Sequence, residues 1–287
     1  PYLSPDGRRV LIRNGDVAPG YDMWVADLAR DTLTRITFAK GNEQAATGVW
    51  TPDGQRVIYG LLSTGDAGGT GRNFYKLMWR LADGTGAEEE LLSGADAMYP
   101  LSCSPDGQFL VYYLSRQGHR DLFLLSLKGE RKPRALIENP FNKAGAQISP
   151  DGRWIAYVSD ESGRQEVFVQ PFPDLSGRWQ ISTTGGTQPR WSRTGRELFY
   201  RSGNKMMAVD IESRTGFAAG VPHMLFDQPY LDGNNLSPSY DVAPDGQRFL
   251  MLKETEEQTS QLELRMVLNW GEEVKRRIAE EVAAEGQ

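Results

Sequence analysis

Two sets of residues in this chain have the types and spacing to do chemistry. The first is a series of six positions, Tyr2, Val49, Ser102, Gln147, Arg190 and Asp241. Each lies two residues before a Ser, Thr or Ala that opens a recurring tight turn. The series is mostly polar, while the following residue (Trp50, Cys103, Ile148, Trp191, Val242) is apolar. Arg190 and Asp241 belong to consecutive copies and are placed to pair; Gln188 stands just ahead of Arg190. The second set, Glu43, Asp96, Asn142, Lys143, Asn234 and Asn235, lies in the stretches leading into the same segments, joined by Asp160-Glu161-Ser162. If the segments surround one axis, these carboxylates and amides converge on it. A hard cation such as Ca²⁺ takes six to eight such oxygens, with Glu43, Asp96 and Asp241 as its charged ligands. An ion held there would polarise an ester or phosphoryl oxygen.

Other chemistries find no support. His119-Arg120-Asp121 spells the opening of a kinase catalytic loop but stands without a DFG or an ordered Gly-rich loop. The Gly65–Gly71 run lacks the Gly-Lys-Ser/Thr ending of a phosphate loop. The two histidines, His119 and His223, lie in different copies, and no Gly-x-Ser-x-Gly elbow is present. No His-Glu-x-x-His or Cys/His cluster marks a zinc site. Cys103 is the only cysteine, so no internal disulfide forms, and it reads as a small buried apolar residue.

Composition narrows the partners. With 32 Lys+Arg against 38 Asp+Glu the net charge is −6. An acidic chain without a basic stripe does not suit nucleic acid or an anionic membrane surface, and no apolar run is long enough to span a bilayer.

The element that positions all of this is a repeat. Ser149-Pro150-Asp151-Gly152 precedes Arg153-Trp154-Ile155-Ala156-Tyr157-Val158, a tight turn followed by a strand apolar on both faces. Copies begin at Ser4, Thr51, Ser104 and Ala243, and a degenerate one reads Ser192-Arg193-Thr194-Gly195. A period of roughly 40–50 residues with several strands each marks a propeller blade. Six copies predict an all-β, six-bladed propeller of four-stranded antiparallel blades over residues 1–270. The fourth copy parses as Ala144–Ile148, Trp154–Val158, Glu166–Pro171 and Arg178–Ile181. The sixth copy lacks an outer strand and the first has only a stub of its inner one. An improvised closure is therefore expected, with a homodimer through the unfinished blade as its hazard. The start at Pro1-Tyr2-Leu3, inside a strand and without Met, reads as a piece of something longer or a processed product. Residues 271–287 read as a short helical tail, with Val274, Ile278 and Val282 on one face.

The turn unit and its flanks resemble the TolB-type β-propeller repeat over nearly the whole chain. A closer resemblance is to the propeller behind many bacterial serine/threonine kinase domains. It is carried by Arg153–Tyr157 with Ser159–Arg164, Val169–Pro173, Trp179–Ser182, Gln188–Trp191, Glu197–Tyr200 and Val267–Trp270. The resemblance implies a sensor or protein-binding module; the first reading is therefore a non-enzymatic propeller, detached from a larger membrane-anchored or kinase-linked protein, that binds a protein, peptide or small ligand at its channel mouth. The resemblance also implies an extracytoplasmic or periplasmic place behind a membrane anchor, and no catalytic residue. Lys143 departs from it, standing where these relatives often carry an acid. The alternative, by analogy with other propellers, is a Ca-type hydrolase of phosphotriesters, lactones or aryl esters.

Overall fold

A computed structural model describes residues 1–14, 21–65, 73–213, 216–233, 235, 237–253 and the strand 263–267. Each repeat forms its own antiparallel meander. The first blade comprises β1 (Tyr2–Leu3), β2 (Arg9–Asn14), β3 (Asp22–Asp27) and β4 (Thr32–Arg35). The second is β5 (Glu43–Trp50), β6 (Arg56–Ser63), β7 (Phe74–Leu81) and β8 (Glu89–Gly94). The third is β9 (Ala97–Cys103), β10 (Phe109–Arg116), β11 (His119–Ser126) and β12 (Pro133–Ile137). The fourth is β13 (Lys143–Ile148), β14 (Trp154–Ser159), β15 (Glu166–Pro171) and β16 (Trp179–Gln180). The fifth is β17 (Thr187–Trp191), β18 (Glu197–Ser202), β19 (Lys205–Glu212), β20 (Ala218–Ala219) and β21 (His223–Asp227). The terminal sheet is β22 (Tyr240–Val242), β23 (Phe249–Lys253) and β24 (Glu263–Val267).

The expected six four-stranded blades are corrected to five complete blades, beside which stands a three-stranded terminal sheet. The fifth blade is also larger than expected, because β20 and β21 both pair with β19. The physical reason is that the turn motif specifies only the inner hairpin of each repeat. It carries no information about how many strands follow. No helix occurs among the described residues, and the expected tail helix at 271–287 lies outside them.

The turn is a self-contained hydrogen-bond unit. Thr51 Oγ1 donates to Asp53 Oδ1 at 2.6 Å, the same oxygen accepts the Gln55 amide at 3.0 Å, and Thr51 Oγ1 accepts the Arg56 amide at 3.0 Å. The same scheme recurs at Ser104 and Ser149. In these turns it fixes where the inner strand ends and the next begins.

No blade buries its faces alone. Each apolar cluster lies between two neighbouring sheets: Leu11, Ile36, Val57 and Tyr59 between the first and second blades, and Val111, Leu122, Ile155 and Phe168 between the third and fourth. The ring closes because β1 touches both β5 and β22. Among the described residues, Leu3, Val10, Ala243 and Leu250 are buried together at that closing seam, with Ile12 and Ala26 packed against them. Polar and turn contacts supplement it. The Leu3 amide donates to Asp241 Oδ2 at 2.7 Å. The Gly7 turn, at φ +70°, sits against the Pro244 ring so closely that a Cβ there would lie 2.6 Å from Pro244 Cγ and Cδ.

Candidate functional site

The inner strands run in the same direction around the axis, so their last residues meet at the turn end. There the side chains enclose a cavity of about 330 Å³. All six positions of the ring series, Tyr2, Val49, Ser102, Gln147, Arg190 and Asp241, line it, one from each sheet. The apolar neighbours Trp50, Cys103, Ile148, Trp191 and Val242 line it too, as do the turn residues Pro5, Pro52, Pro105, Pro150 and Arg193.

Hydrogen bonds across blades hold this wall. Trp50 Nε1 donates to the Tyr2 carbonyl at 2.9 Å, and Trp191 Nε1 to the Gln147 carbonyl at 3.1 Å. Gln147 Nε2 donates to the Leu101 carbonyl at 2.9 Å, and Ser102 Oγ accepts the Ile148 amide at 3.1 Å. Ser102 and Gln147 are thus partnered already and shape the cavity.

Its charge comes from three residues. The Arg190 side chain is 7% exposed and its Nε lies 3.5 Å from Asp241 Oδ1. Its guanidinium also covers the Tyr2 ring at 5.2 Å, a cation–π contact strengthened by desolvation. Asp241 is itself spoken for: Oδ2 accepts the Leu3 amide and Oδ1 the Val242 amide at 2.9 Å. Arg193 stands at the rim and is exposed. Burial raises the Tyr2 phenol above its ordinary value. The Cys103 thiol is pushed up to about 12, chiefly by desolvation and then by the charge of Asp53. It is therefore a thiol, not a nucleophilic thiolate, near neutral pH.

The remaining candidates lie elsewhere. Glu43 begins β5, six residues before Val49, roughly 20 Å along an extended strand. Asp96 stands equally far ahead of Ser102 in the third blade. Glu43 accepts the Lys40 amide at 3.3 Å, and Asp96 pairs with Arg116 at 3.0 Å. Asp160 accepts the Asn142 amide at 2.8 Å and its side-chain Nδ2 at 2.9 Å, and Glu161 pairs with Arg178 at 2.6 Å. Each is engaged within its own blade. Lys143 is fully buried, with Nζ donating to Asp121 at 2.9 Å and to the Asn139 carbonyl at 2.7 Å. Gln188, at φ +55°, is a buried anchor. It accepts the Ser239 amide at 2.8 Å and donates to the Gly233 carbonyl at 3.1 Å, while its own amide donates to Asn235 Oδ1 at 2.7 Å. Asn234 lies outside the described residues. The structure therefore does not bring Glu43 and Asp96 to Asp241, and among the described residues no three His, Cys, Asp or Glu side chains are grouped to hold a metal ion. The rim residue Arg193 escaped the sequence reading. Its signal was the one turn that departs from Pro-Asp-Gly.

A family model described as the TolB beta propeller domain matches residues 84–263. No curated protein matches the chain. Among solved structures it is similar to TolB from Acinetobacter baumannii, at 19% identity and a TM-score of 0.67, covering 93% of this chain and 62% of that one. The chain thus spans less than two thirds of that protein's length. It is also similar to a putative TolB from Agrobacterium tumefaciens, at 20% identity and a TM-score of 0.61, covering 86% of each chain. An oligogalacturonate lyase from Vibrio parahaemolyticus aligns at 12% identity and a TM-score of 0.54, over 92% of this chain and 87% of that one. At these identities the likeness is one of fold.

Proposed function

The chain belongs to the TolB beta propeller domain family, and from that premise we propose that it is a non-enzymatic binding module. Its ligand is a peptide segment of a partner protein or a small molecule, seated in the axial cavity at the turn end. The family's propeller fold, with loops gathered at the ends of a channel, supports the general role. The observation that carries the location is the convergence of Ser102, Gln147, Arg190 and Asp241, from four different sheets, on one cavity of about 330 Å³. That volume lies at the lower end of ligand pockets, and apolar walls with a few placed polar groups are their usual make-up. The chemistry favours holding over turnover: the one thiol is protonated, and the one acid in the cavity already accepts two backbone amides and faces an arginine.

The test is peptide-library selection on the full chain, followed by titration of selected peptides against Gln147→Trp, which fills the cavity. Binding should fall at least about tenfold, as expected when a buried contact region is occupied, with the thermal midpoint retained. Unchanged binding would move the site elsewhere. Hydrolysis of aryl esters, lactones or phosphotriesters that requires added Ca²⁺ and disappears in Asp241→Ala would replace the binding role with an enzymatic one.

A further inference from the structure

We infer that the turn end of the channel is built to receive a carboxylate, and that Arg190 and Arg193 of the fifth blade are its recognition residues. The inference deepens the proposed binding role and rests on the cavity being a ligand site.

The first support is charge. The cavity is lined by two arginines and one aspartate, a net positive site in a chain of net charge −6. Such a local reversal of sign focuses the field on an incoming anion. The second is the departure from the repeat. In the first four blades the turn contributes a proline to the rim: Pro5, Pro52, Pro105 and Pro150. In the fifth, Arg193 takes that place and lines the same cavity. Thr194 at the same time replaces the turn aspartate. In two turns that keep the aspartate, the acid captures a following arginine: Asp151 holds Arg153 at 2.8 Å and Asp245 holds Arg248 at 2.6 Å. The fifth turn thus gains a cation and loses an acid. Among the described residues the Arg193 guanidinium donates to the Ser4 carbonyl alone, at a long 3.4 Å.

The third support is the state of Arg190. Its guanidinium is more than nine-tenths buried; Nη1 donates to the Pro189 carbonyl at 3.2 Å, and among the described residues its one carboxylate partner stands off at 3.5 Å while serving two amides. A desolvated cation so loosely compensated keeps a strong attraction for a second anion. A planar guanidinium meets a carboxylate through two parallel N–H···O bonds. The apolar residues alongside, Val49, Trp50, Ile148 and Trp191, suit an organic tail and so favour a carboxylate over inorganic phosphate. The same chemistry is offered by the C-terminal carboxylate of a peptide and by a small organic acid.

Calorimetric titration of the whole chain separates the outcomes. The probes are acetyl-trialanine with a free carboxylate, the same peptide as its C-terminal amide, and sodium propionate. The variants are Arg193→Gln and Arg193→Pro, the latter restoring the turn of the other blades; both change an exposed residue. The acid should bind at least about tenfold tighter than the amide, the factor a charge-assisted pair supplies. Both variants should erase that preference, and added salt should weaken the acid alone. Propionate binding that is equally sensitive to Arg193 identifies a free organic acid as the ligand class; binding of the peptide acid without propionate identifies a chain end. Equal affinity for acid and amide overturns the inference and leaves the channel site standing. No binding by any probe overturns both.

Discussion

If the ring is closed by turn-on-turn packing, a single methyl group at Gly7 should strain it open. The Gly7 turn has φ +70°, and a Cβ there would stand 2.6 Å from Pro244 Cγ and Cδ. Gly107, in the same turn of the third blade, has φ +67° and nothing within 4 Å of the equivalent point. Gly107→Ala therefore measures the backbone cost alone, about 1–2 kcal/mol for a left-handed residue carrying a Cβ. Gly7→Ala adds an overpacking cost of about 1–3 kcal/mol, because a proline ring cannot swing aside. The expected totals are about 1–2 kcal/mol for Gly107→Ala and about 2–5 kcal/mol for Gly7→Ala, read from urea unfolding midpoints at constant slope. Adding Pro244→Ala should recover part of the loss in Gly7→Ala and none in Gly107→Ala, a coupling of about 1–3 kcal/mol. Equal costs for the two glycine variants, or no coupling to Pro244, would refute the contact as the closing device.

Lys143→Ala should destabilise by about 3–5 kcal/mol, because it leaves Asp121 and the Asn139 carbonyl without a buried ammonium. Lys143→Met combined with Asp121→Asn should recover much of this in urea unfolding. The turn aspartates give a pH dependence. Hydrogen bonds from Ser4, Thr51 and Ser104 are the leading causes that hold Asp6, Asp53 and Asp106 below their ordinary value of 3.8. A depressed carboxyl contributes stability above its unfolded value and loses it as pH falls through the folded one. Urea midpoints should therefore drop as pH falls below 3.8, less steeply in Asp53→Asn; parallel profiles would contradict this.

The ring of site residues was legible because the turn recurs. The turn marks where each inner strand ends, so the residues just before it come to the axis together, the polar series and its apolar neighbours alike. That logic places Tyr2, Val49, Ser102, Gln147, Arg190 and Asp241 on one cavity without any tertiary information. Glu43, Asp96, Asn142, Asp160 and Glu161 were chosen because they lie in loops, and loop membership carries no distance. In the structure a strand's length separates Glu43 from the ring, and local partners hold each acid. Gln188 stands just ahead of Arg190 in sequence, but its φ of +55° and its bonds to the segment before β22 make it an anchor. The blade count failed for a related reason. Six turns give six inner hairpins, and the short β22 and the doubled outer strand of the fifth blade are set by insertions that carry no periodic pattern.

Near-identical repeats produce near-identical environments, and recognition of one ligand needs that equality broken. Here it is broken in one sector. Arg190 and Arg193 come from the fifth blade, Asp241 from the terminal sheet, and Tyr2 from the first blade. That sector includes the closing seam, where Leu3, Val10, Ala243 and Leu250 are buried among the described residues. The recognition sector and the joint that closes the ring therefore coincide. A bound carboxylate held by Arg190 and Arg193 would free Asp241 to serve the Leu3 and Val242 amides alone, tightening the joint. Occupancy should then stabilise the whole fold by about 2.7 kcal/mol at a hundredfold excess over Kd. It should also slow hydrogen exchange at the Leu3 and Val242 amides more than at Ile148, whose amide bonds Ser102 on the opposite side of the cavity. Equal protection at all three would show that the ligand stabilises the ring without acting through its seam, and would uncouple recognition from closure.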